Sequence, residues 1–230
     1  MKPARAGGLY VRPSKDDAMA EEMRIKVWDI AVRVFHWSLV VFFFVAYFSG
    51  DEESALHVYT GYGVLALVAF RIVWGLVGTK HARFADFIFG PAATLQYVRS
   101  LASSKPLHYL GHNPLAGWMV VALLVCLLGA CWSGLKAYGE QGHGPLAKYE
   151  TWAVPTAMAN DHEREQRSKR VRKERRTKGE EFWKEIHEAL SNLTLSLVFL
   201  HVVGGLMSSG LHRENLIKAM ITGYKTRRAP

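Results

Sequence analysis

The sequence predicts an all-α integral membrane protein, folded as a four-helix up-and-down bundle. Three observations predict it. Four long segments are nearly free of charge and apolar enough to cross a bilayer, which takes about 20 helical residues. None of them alternates apolar and polar residues as the strands of a membrane β-barrel do. Charge is also segregated: the 230 residues are 50% hydrophobic and 21% charged, yet mean hydropathy is near zero because charge-free runs alternate with highly charged ones.

Taken in order, residues 1–26 are charged, contain Pro and Gly, and read as a flexible tail. The helical domain is expected over 27–225, followed by a short tail at 226–230. Its first span, 28–49, is too long and too aromatic for the apolar core of a cleaved signal and reads as an uncleaved anchor. The second is "ALHVYTGYGVLALVAFRIVWGLVG", 55–78. The third, "NPLAGWMVVALLVCLLGACWSGLK" (113–136), holds both cysteines, Cys126 and Cys131. A spacing of five sets them about 140° apart on a helix, so they read as apolar packing residues rather than a disulfide. No C-x-x-C-H stretch occurs, which excludes covalent haem attachment of the c type. A basic insert is expected at about 150–181, and the fourth span at 187–211.

Depth sorts the ten histidines. His36 lies eight residues into the first span and His201 ten residues from the end of the fourth, comparable depths of roughly 12–15 Å from one boundary. His57 and His187 both sit at the opposite boundary. His187 and His201 are fourteen residues apart, a rise of roughly 21 Å, and fall about 40° short of sharing a helical face. The four therefore form two level pairs, His36 with His201 and His57 with His187. Ionisable residues inside spans are expensive and mark function by default, and histidine is a standard axial ligand of haem iron. A tetrahedral zinc site would need three or four ligands converging on one point. Here the histidines are spread along the membrane normal, with no thiol or carboxylate joining either pair. Proton or ion transport would call for intramembrane acids, and the spans have none apart from Asp29 and Glu188, each at an edge. Two bis-histidine b-type haems fit the pattern better than either alternative.

Glycines follow the same histidines. Gly61 and Gly63 come after His57, and Gly204 and Gly205 come one turn after His201, as a flat macrocycle pressed against backbone requires; close helix packing is the competing reading. Arg33 and Arg71 near span ends either snorkel to headgroups or partner the carboxylates of the inner haem. Trp37, Trp74, Trp118 and Trp183 read mainly as interfacial belt residues.

The stretches "RVFHWSL", "LHVYTGYGVLALVAFRIVWGLVGTKHARFADF", "YLGHNPLAGWM" and "EIHEALSNLTLSLVFLHVVGGLMSSGLHRENLIKAMITGYK" resemble the prokaryotic di-haem cytochrome b561 family, which includes the membrane cytochrome b subunits of nickel–iron hydrogenases. The resemblance covers nearly all of 25–225 except the third connection. It implies a four-helix bundle with two b haems that carries electrons between the quinone pool and a redox partner such as a hydrogenase or a soluble cytochrome c. Carried over by position, His36 and His201 correspond to the ligands of the cytoplasmic-side haem, and His57 and His187 to those of the periplasmic-side haem. The third span supplies none. Whether the chain alone is an enzyme depends on whether it oxidises or reduces quinone unaided.

The departure from the family is the third connection. Residues 164–178 hold nine Lys/Arg against Glu165 and Glu174. A solvated charged helix is the plain reading; anionic lipid headgroups or an acidic redox partner steered to the outer haem are the functional ones. Without interleaved aromatics or a recognised motif, nucleic acid is not an expected partner. Positive-inside counting places both termini in the cytoplasm of a bacterial inner membrane, with fifteen Lys/Arg on that side against eleven in the third connection. His112 and His212 resemble family positions at the cytoplasmic boundary; shaping a quinone site or binding a haem propionate is one reading of them, and a surface or helix-capping role is the favoured one. A histidine-lined proton or metal transporter, or a membrane anchor without redox activity, are the rival classes; absence of a Soret band would favour the first, and loss of function on deleting 160–181 the second.

Overall fold

Each span begins where a side chain caps it. In β1, Arg24–Lys26, the chain is extended; Asp29 then accepts a hydrogen bond from the Val32 amide at 2.7 Å and opens α1, Ile30–Phe48. Ser54 does the same for α2, Ala55–Val77, accepting from the His57 amide at 3.3 Å. Asn113 opens α4, Pro114–Glu140, with the proline in the first turn, where its missing N–H costs nothing. These oxygens satisfy amides that the start of every helix leaves without a partner. Between α2 and α4 lie a 3-10 turn, Phe84–Asp86, and the short α3, Pro91–Leu101. The chain ends in α5, His162–His212, α6, Leu216–Thr222, and β2, Tyr224–Thr226. This computed structural model describes residues 24–50, 54–101, 107, 109, 111–147, 162–212 and 214–226. The expected tails thus lie almost wholly outside the described residues.

Among the described residues, four helices are long and apolar enough to span a membrane: α1, α2, α4 and the 176–211 part of α5. The multi-pass, all-helical architecture expected from the sequence is therefore present. The third span runs to Glu140, four residues beyond the expected end at 136. The fourth is no separate element: 51 residues form one helix, about 76 Å at 1.5 Å per residue, against a hydrocarbon core of about 30 Å. The basic run 164–178 is its N-terminal part. Gln141 Nε2 donates to Glu180 Oε1 at 3.0 Å, and Arg176 Nε donates to the Glu140 carbonyl, so the end of α4 braces α5 at 176–180.

Packing proceeds from α1 to α2, α2 to α4, and α4 to α5, the last pair making the longest interface. Val64 and Val68 of α2 and Leu124 and Leu127 of α4 form the buried centre, with Leu39 and Phe43 of α1 against it. By contrast, α5 stands off from α1 and α2, so that side chains rather than backbones bridge the gap. Tyr47 Oη donates to Asn192 Oδ1 across it at 2.7 Å. The outer faces expose Val41, Phe48, Leu76, Val125, Phe199 and Met207, the arrangement expected where acyl chains rather than water are the solvent.

At one end the first and last described segments, 24–26 and 224–226, are clasped together. β1 pairs antiparallel with β2, Ile25 opposite Lys225. The Val27 and Trp28 amides donate to the Gly223 carbonyl at 2.9 and 3.1 Å. Gly223 ends α6 in the left-handed region (φ +88°), and a Cβ there would meet the Trp28 carbonyl oxygen at 2.7 Å, so this position requires glycine. A buried ion pair, Lys225 Nζ to Glu214 Oε2 at 3.3 Å, closes the clasp.

Asp29 ties the same end to α2. Its Oδ2 accepts from Trp74 Nε1 at 3.1 Å and from Thr79 Oγ1 at 2.5 Å. Trp74 is thus an interhelical tether as well as a boundary aromatic. Burial alone would raise the Asp29 pKa, but the hydrogen bonds from Thr79, Val32 and Trp74 together outweigh it and hold the carboxyl below its usual range. A depressed carboxylate stabilises the fold above its unfolded pKa, and that contribution is lost as pH falls through the lower folded value. Asp29→Ala should cost about 1–2 kcal/mol, the usual price of a lost helix cap. Thermal unfolding in detergent should show that deficit at neutral pH and a shrinking one in acid; equal deficits at both would refute the ionic part of the role.

Candidate cofactor sites

The two level pairs expected from depth are brought together in space. His36 of α1 and His201 of α5 face each other with ring centroids 6.5 Å apart, and His57 of α2 and His187 of α5 with centroids 5.8 Å apart. Two metal–imidazole bonds of about 2 Å, plus roughly 1.1 Å from each bonding nitrogen to its ring centre, would set centroids about 6.2 Å apart. Both observed separations lie close to that value. One metal between each pair of rings is therefore stereochemically accessible. Among the described residues no group of three or more His, Cys, Asp or Glu gathers around a point, as a tetrahedral zinc centre would need.

The His57/His187 pair has its tautomers set by backbone. His57 Nδ1 lies 2.9 Å from the Ala46 carbonyl oxygen, and His187 Nδ1 lies 2.8 Å from that of Ala130. A carbonyl only accepts, so each Nδ1 carries the hydrogen and each Nε2 keeps a lone pair, the form in which histidine binds metal. Gly134 adds steric control: a Cβ there would lie 3.0 Å from His187 Cε1, so the absent side chain leaves room for the ring. At the inner pair, His36 packs edge-on against Trp37 at 5.1 Å, and its Nδ1 is buried without a hydrogen-bond partner.

Open space lies at glycines near both pairs. A Cβ built on Gly61, one turn after His57, or on Gly204 or Gly205, after His201, would meet nothing within 4 Å. Gly63 behaves differently. A Cβ there would strike the Phe42 ring at 2.3 Å, so it serves the close approach of α1 and α2 and does not track the cofactor face.

Arg33 and Arg71 occupy the inner end. Arg33 donates from Nη1 to the Ile221 carbonyl at the end of α6, and its Nε is buried without a partner. Arg71 is 3% exposed, with its guanidinium 5.0 Å from the Phe84 ring centre and 5.7 Å from that of Phe87; its Nη1 also lacks a partner. His112 departs from the surface or capping role expected of it. Asn113 is the cap, while the His112 ring packs against Trp28 at 4.5 Å and Phe87 at 4.6 Å, with Nδ1 buried and unpartnered. Burial first, then the Arg71 charge, pushes its pKa down to about 3, so it is a neutral imidazole. The His212 side chain lies outside the described residues. The carbonyls of Ala46 and Ala130, Gly134 and the burial of His112 have no signature in sequence spacing; the G-H-N-P stretch before α4 was the one signal that pointed near this site.

These residues suit a haem: opposed imidazoles at metal-bridging distance, glycine-lined space beside them, and buried cationic donors at one end. The prokaryotic cytochrome b561 family matches over residues 27–223. A probable Ni/Fe-hydrogenase B-type cytochrome subunit of Cupriavidus necator is 22% identical over 244 residues, with 92% of each chain covered. No solved structure matches. The chain belongs to the prokaryotic cytochrome b561 family, as a multi-pass membrane cytochrome b of electron transfer whose prosthetic group is haem b.

Proposed function

We propose that the chain holds two b haems and passes electrons between membrane quinone and a redox partner protein. His36 and His201 would hold the inner haem, and His57 and His187 the outer one. The observation that carries this reading is the pair of opposed imidazoles at each of two depths, 6.5 and 5.8 Å between ring centres. When bound, haem b supplies a ferric–ferrous couple for single electrons. Two imidazoles holding each haem would leave no site for oxygen or substrate on the iron and would favour outer-sphere transfer. The Ala46 and Ala130 carbonyls make the outer imidazoles more basic through their Nδ1–H bonds. The apolar faces of the bundle keep water away. Arg33 and Arg71 would meet carboxylates of the inner haem.

Quinone is the membrane-side reactant in this reading, meeting a haem edge and exchanging protons at the surface. The relative's hydrogenase association supports a redox enzyme as the other partner. Positive-inside reasoning supports a cytoplasmic location for the clasped termini in a bacterial inner membrane, with the outer pair toward the periplasm. The basic part of α5, continuous with the fourth span, projects past the end of α4 on the outer side. It is suited to guiding an acidic partner toward the outer haem. Exchanging Arg170, Arg176 and Lys178 for Glu should slow electron exchange with that partner at least tenfold at low salt and little at high salt; an equal effect at both would count against docking there.

A pyridine haemochrome assay with protein quantification tests the central reading. About two b haems per chain are expected; one or none, under conditions that retain haem in a control cytochrome, would refute it.

A further inference from the structure

Arg71 presents a problem that the polypeptide does not solve by itself. A guanidinium is permanently charged, and taking it out of water is unfavourable unless an anion or several acceptors meet it. Its faces rest on Phe84 and Phe87, which stabilise a cation only weakly compared with a carboxylate. Among the described residues no acid bonds to it. The nearby carboxylate, Asp29, already accepts from Val32, Trp74 and Thr79. Glu214 is taken by Lys225. Arg71 Nη1 is nevertheless buried and unpartnered, and so is Nδ1 of His112, whose ring shares Phe87 with it.

An unpaired guanidinium N–H and an unpaired imidazole nitrogen, both buried, flank one aromatic ring; with His112 as its Nδ1–H tautomer they outline a missing acceptor. Arg71 is six residues from the end of α2 and His36 six residues from the start of α1, so both lie about 9 Å inside the same boundary. The acceptor therefore sits at the level of the His36/His201 pair. From this we propose that Arg71 and His112 together form a binding site for one carboxylate of the inner porphyrin. Arg71 donates from Nη1 and supplies the countercharge; His112 donates from Nδ1 and fixes the direction of approach. His112 is thus a positioning residue for the inner haem. The proposal rests on reading His36 and His201 as that haem's ligands. An anionic lipid headgroup offers the same oxygen chemistry, and the experiment separates the two.

The test is redox-induced infrared difference spectroscopy on the full-length protein in detergent, with the haem carboxylates carbon-13 labelled through δ-aminolevulinate. In wild type the labelled bands give the reference. Arg71→Gln and His112→Gln should each shift a labelled carboxylate band. Arg71→Gln should also lower the midpoint potential of one haem and leave the other unchanged, since a nearby cation favours the reduced state, which carries one positive charge fewer, and the substitution removes it. Arg71→Lys, which keeps the charge, should restore most of the potential but not the band position. If Arg71→Gln fails to assemble, Arg71→Lys and His112→Gln carry the same band measurement. Labelled bands unchanged in both Gln variants, whether or not a lipid phosphate band moves instead, would overturn the proposal. Wild-type haem content and the ligand variants report separately on the parent reading, so a failure here is not confused with a failure there.

Discussion

His201→Ala is expected to lose the haem at the His36 level and keep the one at the His57 level. The haem-to-protein ratio should fall from about two to about one, with the reduced α-band roughly halved. His187→Ala should give the complementary loss. The two variants are informative together because both substitutions lie on α5, fourteen residues apart, and neither touches the buried valine and leucine centre between α2 and α4. Circular dichroism should therefore change little. Their remaining haems should differ in midpoint potential, since the outer imidazoles are bonded to the Ala46 and Ala130 carbonyls while His36 Nδ1 has no such partner. If each variant kept both haems, the assignment of ligands would be wrong. If either lost both with its helicity intact, the two sites would not be independent.

The second large effect is expected at glycines. Gly61→Leu and Gly205→Leu add bulk to spaces where a Cβ meets no protein atom within 4 Å. In a bundle that encloses haem, those spaces are filled by the macrocycle. Each substitution should expel its neighbouring haem, Gly61→Leu the outer and Gly205→Leu the inner, while helix content stays near that of wild type. Gly63→Leu is the contrast. It would drive a side chain into Phe42 and part α1 from α2, an overpacking defect costing typically 1–3 kcal/mol. That variant should lose thermal stability. Haem content and melting temperature measured for all three would separate the cases; haem retention in Gly61→Leu and Gly205→Leu would show that those positions face lipid instead.

Much of this was legible in the residues, for a physical reason. Spans announce themselves because a bilayer demands long apolar runs, and α1 and α2 end within two residues of where that demand places them. The pairing of His36 with His201 follows from rise per residue alone, as an up-and-down bundle converts sequence position into depth. What escaped the sequence depends on tertiary approach. Which carbonyl meets His187 is decided by how α4 lies against α5, and no spacing encodes that. The three-residue strands of the terminal clasp are too short to show alternation. Residues 162–180 have no apolar stripe to mark them as part of the last span, so their continuity with it was hidden. His112 looked polar and peripheral because its neighbours Trp28 and Phe87 come from distant parts of the chain.

One unbroken helix, α5, carries a member of each histidine pair. Electron tunnelling decays exponentially with gap width, so any scaffold that let two redox centres breathe apart would make their exchange erratic. Here, lengthening the distance between residues 187 and 201 means stretching a ladder of backbone hydrogen bonds in series. Changes in bilayer thickness can tilt this rod, but they leave the spacing along it nearly constant. With the two proposed haems bound, the helix would act as a ruler for conduction between them.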